Sequence, residues 1–113
     1  LFGAVAGAAA TPATKQDIAI YQAMSTSFFC MAAMDGVDFP KALGISASTY
    51  AQALKGRHNG KVSMLDNKTL SEKEMFAAAE QQVLLRAMQA CPKAIPADVQ
   101  AKVKAAVKKM SKN

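Results

Sequence analysis

The sequence predicts an all-α fold, a small bundle of four to five helices tied by one disulfide. Three observations predict it. The 113 residues are 51% hydrophobic but only 6% aromatic, with no Trp, so Ala and Met fill the apolar quota. Chains rich in Ala and poor in β-branched residues favour helix over sheet. Helix-start signatures recur, T-x-x-D at Thr14–Asp17 and S-x-x-E at Ser71–Glu74. Finally, two cysteines, Cys30 and Cys91, allow a single intramolecular pairing.

The opening segment, Leu1 to Thr11, carries no charge and is built of small and apolar residues. It resembles the end of a secretory signal peptide, with Ala8-Ala9-Ala10 or Ala6-Gly7-Ala8 as the cleavage site. It is shorter than the ~20 apolar residues a membrane span needs. Residues 1–10 are therefore expected to be a signal-peptide remnant or flexible arm, and 11–113 one helical domain, periplasmic or secreted. The alternative is an Ala/Gly arm that adds to the first helix. In an oxidising compartment Cys30 and Cys91 pair by default; in the cytosol they would be two buried thiols.

The first helix is expected near Thr14, with Asp17 at its positive end. Ile20 or Tyr21, Met24, Phe28 and Met31 recur at helical spacing and form the expected buried stripe. Ala23, Ser27, Cys30 and Met34 make a neighbouring face of mostly small residues, where a partner helix can approach Cys30. Asp35-Gly36 ends the helix, with Gly36 past its last turn. Asp38 caps a second, short helix with Pro40 inside its start, expected to stop at Gly44. Ser46 or Ser48 then caps a third, ended by Gly56. Asn59-Gly60 marks a polar turn, and Val62 to Lys68 reads as loop.

Ser71-Glu72-Lys73-Glu74 is a capping box that starts the longest helix, which runs to about Cys91 and ends at Pro92. Gln82, Arg86 and Gln89 mark its expected wet face; Leu84, Met88 and Cys91 lie opposite. Pro96 and Asp98 start a last helix with an apolar stripe of Val99, Val103, Ala106 or Val107, and Met110, and lysines elsewhere.

Fourteen Lys/Arg against eight Asp/Glu give a net charge of +6. This permits contact with nucleic acid, anionic lipid or an acidic partner. Lys102, Lys104, Lys108 and Lys109 form a basic surface on the last helix, by default a solvated face. An anionic membrane or acidic protein is its next reading, ahead of nucleic acid.

No catalytic constellation stands out. His58, the single histidine, falls in a polar turn beside Arg57 and Lys61 and is expected at the surface. Ser63 and Asp66 are near it in sequence, but nothing predicts an oriented base or oxyanion hole. Glu80 is expected to be partly buried. Two distant cysteines and one histidine lack metal-ligand spacing. Cys30-Met31-Ala32-Ala33-Met34 carries soft ligands, but Met as core filler and a disulfide at Cys30 account for it. Neither cofactor nor metal is expected.

Leu43 to Gly56 resembles the turn and recognition helix of LacI-type helix-turn-helix repressors, with Gly44 in the turn and a Ser cap. The reading positions, Ala47 and Ser48, carry no Arg, Asn or Gln, and Phe39–Leu43 is too short for the preceding helix.

The chain also resembles the periplasmic acid-stress chaperones of the HdeA type over residues 28–113. Cys30 is followed by Asp38-Phe39, then Tyr50-Ala51-Gln52-Ala53-Leu54, then Gln89-Ala90-Cys91 and a Lys-rich final helix. The family's first cysteine lies nearer its domain start, and the length of the helix from Glu72 to Cys91 has no obvious counterpart there. The resemblance implies a homodimer at neutral pH that loosens in acid and binds unfolding protein clients. Protonating the carboxylates and His58 would leave about +15, carried by fourteen Lys/Arg and one His. The expected function is an exported, non-catalytic, client-binding protein, with Tyr21, Met24, Phe28 and Met31 as its apolar binding residues. The alternatives are a specific partner module, such as an inhibitor or immunity protein, and a helix-turn-helix DNA-binding protein.

Overall fold

The computed structural model describes residues 10–111. The expected signal-peptide remnant lies, apart from Ala10, outside the described residues. Among the described residues the fold is essentially all-α, with four helices and the Cys30–Cys91 disulfide.

Helix α1 spans Lys15–Met34 and begins with the expected capping box. The Thr14 hydroxyl accepts from the Asp17 N–H at 3.1 Å, and the Asp17 carboxylate accepts from the Thr14 N–H at 3.0 Å. Its buried residues are Ile18, Tyr21, Ser25, Thr26 and Phe29. Met24, Phe28 and Met31 therefore do not form the core stripe; they face outward. From Ile18 to Met34 the helix has no charged residue, so two stripes at helical spacing compete. The stripe containing Ser25 wins because a small side chain admits its neighbours closely, and because Tyr21 finds hydrogen-bond partners there. The chain then turns at Asp35 and Gly36, where Gly36 takes φ +95°.

Helix α2, Phe39–His58, is continuous. Asp38 caps it and Pro40 sits in its first turn. The expected break at Gly44 does not form, and neither Ser46 nor Ser48 caps a new helix. Buried Ser46 instead donates back to the Ala42 carbonyl at 2.7 Å. One unbroken face buries Ala42, Leu43, Ala47, Tyr50 and Leu54. That burial outweighs a cost of about 1 kcal/mol for glycine inside a helix. With no turn at Gly44, the helix-turn-helix geometry is absent.

Asn59 and Gly60 end α2 with positive φ, as expected of that pair. The region read as loop holds a small antiparallel ladder of β1, Lys61–Val62, and β2, Lys68–Thr69, around a 3-10 turn at Ser63–Leu65. The arm before α1 joins it through a parallel bridge from Ala13 to Val62.

Helix α3, Glu72–Ala90, starts with the Ser71/Glu74 capping box. It buries Met75, Ala79, Val83 and Ala87, every fourth residue. Helices α1, α2 and α3 pack on one another. Their centre holds Tyr50, Phe29, Val83 and Ser46, all fully buried. Phe29 meets Phe39 edge-on, centroids 5.9 Å apart. Cys91 closes α3, and a 3-10 turn at Pro92–Ala94 leads to α4, Ala97–Ser111. Helix α4 buries no residue fully and touches the other three sparsely.

Candidate functional site

The outer face of α1 carries five exposed large apolar side chains. Ile20, Met24, Phe28, Met31 and Met34 are 43–72% exposed. They recur at three- and four-residue spacing, so they share one side of the helix. The other side anchors it through buried Ile18, Tyr21 and Phe29 and through the Cys30–Cys91 bond. The face is therefore held rigidly while staying open. Of the expected binding residues, the structure brings Met24, Phe28 and Met31 together at the surface. Tyr21 is separate, buried on the inner side.

Tyr21 belongs to a polar cluster that also corrects the reading of His58. The imidazole is not at the surface but only 4% exposed. Its Nδ1 lies 2.7 Å from the Thr11 carbonyl oxygen. A carbonyl only accepts, so Nδ1 carries the proton and Nε2 accepts from the Tyr21 hydroxyl at 2.7 Å. That hydroxyl in turn accepts from Arg57 Nη1 at 2.7 Å. The Asp17 carboxylate stands 3.9 Å from Nε2. The Thr14 N–H holds the Asp17 carboxyl below the usual carboxylate range, helped by the Thr14 hydroxyl and by the nearby charge of Arg57. Helical phase could have revealed His58: it follows Tyr50 and Leu54 at four-residue steps on the buried face.

A second polar chain crosses the bundle. Arg86 donates to Gln22 at 3.1 Å, Gln22 donates to Gln82 at 2.7 Å, and the Tyr50 hydroxyl donates to the same Gln82 oxygen. Gln82, expected to be wet, is half-buried because it satisfies Tyr50. Burial pushes the Tyr50 phenol up to about 12. Arg86 and Gln89 are exposed as expected, and Cys91 is buried; Leu84 and Met88 are half-buried.

Beside the apolar face, Ala23, Thr26, Ser27, Cys30, Arg86 and Gln89 line an open groove of about 780 Å³ between α1 and α3. Thr26 Oγ1 is buried there without a hydrogen-bond partner. The groove and face together offer apolar area, a guanidinium and an amide, which is the equipment of a binding surface. Among the described residues no group of three or more His, Cys, Asp or Glu side chains gathers as a metal ion would require. No described helix is long and apolar enough to cross a membrane. Lys102, Lys104, Lys108 and Lys109 are all exposed on α4, remote in sequence from the α1 face.

No curated protein and no solved structure matches the chain. A family model described as a domain of unknown function, DUF8650, matches residues 16–113, from the first turn of α1 onward, and the chain belongs to that family.

Proposed function

We propose that this is a non-catalytic protein of an exported, oxidising compartment that holds other polypeptides on the outer face of α1. The observation that carries the reading is the exposed, charge-free stripe of Ile20, Met24, Phe28, Met31 and Met34. Contiguous exposed apolar surface marks interaction sites. Methionine side chains are flexible and polarisable, so such a face adapts to varied apolar partners. The disulfide is compatible with export. Acid stress is the favoured occasion for the activity. Protonation would leave about +15 on the chain, and self-repulsion would loosen α1 and widen its apolar surface. The resemblance of Tyr50–Leu54 and Gln89–Cys91 to HdeA-type chaperones points the same way.

The test is light scattering of thermally unfolding citrate synthase at neutral pH, and of an acid-labile client after a drop to pH 3. The protein should suppress aggregation in acid at near-stoichiometric ratio, and the triple variant Met24→Ser, Phe28→Ser, Met31→Ser should lose most of that effect. Unchanged scattering, or equal protection by the triple variant, would sink the reading.

A second reading is a specific partner module. The shaped groove beside the stripe, with the Arg86 guanidinium at its edge, favours it. It predicts one stoichiometric ligand and a fold that persists in acid.

A further inference from the structure

Helix α4 is amphipathic in a particular way. At 100° per residue, Val99, Val103, Ala106, Val107 and Met110 fall on one side. Lys102 and Lys109 border that side on one flank, and Lys104 and Lys108 stand on the other. The single acid, Asp98, sits in the first turn, where it suits the positive helix end. Val99 packs against the bundle core, but toward the C-terminus the apolar side opens to solvent, with Val107 42% and Met110 55% exposed. Across from it, Leu85 and Met88 of α3 form the other wall of an open wedge of about 670 Å³, and Lys104 and Lys108 line the same wedge.

From this arrangement we infer that α4 docks on the surface of an anionic phospholipid bilayer. An interfacial helix needs an apolar side to enter the acyl boundary and cations on both flanks to reach the headgroups. Lysine stems cover the apolar rim while their ammonium groups stay with phosphate. Charge decides between occupants. A second copy docked face to face would set four exposed lysines against the same four. A nucleic-acid backbone would satisfy the lysines but leave Val107 and Met110 in water. An anionic bilayer satisfies both. The wedge shares Gln89 with the groove beside α1 but contains none of the exposed apolar residues of the α1 face, so variants on α4 and on α1 test the two surfaces independently.

The experiment is co-sedimentation of the full chain with sucrose-loaded vesicles of phosphatidylglycerol and phosphatidylcholine at equal parts, against pure phosphatidylcholine. Binding should be confined to the anionic vesicles and fall steeply between 0.05 and 0.5 M salt. Each of Lys102→Gln, Lys104→Gln, Lys108→Gln and Lys109→Gln should weaken it about fivefold. Val107→Asp with Met110→Asp should abolish it without changing the thermal midpoint, because neither side chain is buried. Met24→Ser with Met31→Ser should bind vesicles like the parent. No binding to anionic vesicles, equal binding to neutral ones, or loss of binding in the Met24/Met31 variant overturns the inference. So does salt-sensitive binding to poly-L-glutamate without vesicle binding, which would make the partner an acidic protein. Loss of a dimer in the Val107/Met110 variant without vesicle binding would make it a second copy and overturns the inference equally.

Discussion

His58 Nε2 and the Tyr21 hydroxyl meet at 2.7 Å, joining the second turn of α1 to the last turn of α2. The same imidazole holds the arm through the Thr11 carbonyl, so one side chain fastens three segments. Tyr21→Phe removes the hydroxyl and leaves a buried acceptor on His58 and an unpaired donor on Arg57. The expected cost is about 1–3 kcal/mol. Thermal unfolding followed by circular dichroism should show the midpoint falling by several degrees; an unmoved midpoint would show that the contact contributes nothing.

Gly44 lies inside α2, and an added Cβ there would meet nothing within 4 Å. Gly44→Ala should therefore stabilise the protein by about 1 kcal/mol. A turn at this position would give the opposite sign, so denaturant titration of this one variant separates a continuous helix from a broken one.

Adjacent phenylalanines on α1 should behave in opposite ways. Phe29 is fully buried and Phe28 is 43% exposed. Phe29→Ala should cost about 3–5 kcal/mol by opening a cavity. Phe28→Ala should cost much less and act on client binding instead. Paired urea titrations check this; equal losses would mean that the outer face is covered in the native protein.

Acid should weaken the fold through the helix starts. The Thr14 N–H holds Asp17 below its ordinary 3.8, a Lys55 hydrogen bond holds Glu72 below 4.5, and the Ser71 N–H holds Glu74 below 4.5. Each carboxyl is more acidic folded than unfolded, so its contribution is full at neutral pH. That contribution declines as the pH drops below the ordinary value and through the lowered one. The thermal midpoint should be nearly flat from pH 7 to 5 as far as these groups decide it, then fall toward pH 2. Asp17→Asn with Glu74→Gln should lower the neutral plateau and flatten the fall. A slope unchanged in the double variant would place the acid sensitivity elsewhere.

Features set by neighbouring residues were legible in the sequence. Thr14, Asp38 and Ser71 cap helices because their oxygens reach N–H groups within the next turn, and Pro92 stops α3 because it lacks an N–H. Features set by distant packing were not. Gly44 reads locally as a break, but the face from Ala42 to Leu54 is buried as a unit and overrides it. Met24, Phe28 and Met31 have the spacing of a core stripe, and in a helix with no charged residue from Ile18 to Met34 that spacing does not say which side faces inward. His58 looks wet among Arg57, Asn59 and Lys61, and only the register from Tyr50 turns it inside. Apolar chemistry at helical spacing is legible at Tyr21, Met24, Phe28 and Met31, but which of them are exposed is set by the packing of α1 on α2 and α3.

The sulfur bridge also divides the chain mechanically. Cys30 and Cys91 stand 61 positions apart, and all of α2 and α3 lies between them. Tension applied at the two ends of the described chain would travel along α1 to Cys30, cross the bond and leave through α4. The bypassed stretch hides about 200 Å of contour length. A force between the N-terminus of α1 and the end of α4 would load the first helix and the last and leave the middle two outside the covalent path until a reductant cut the bond.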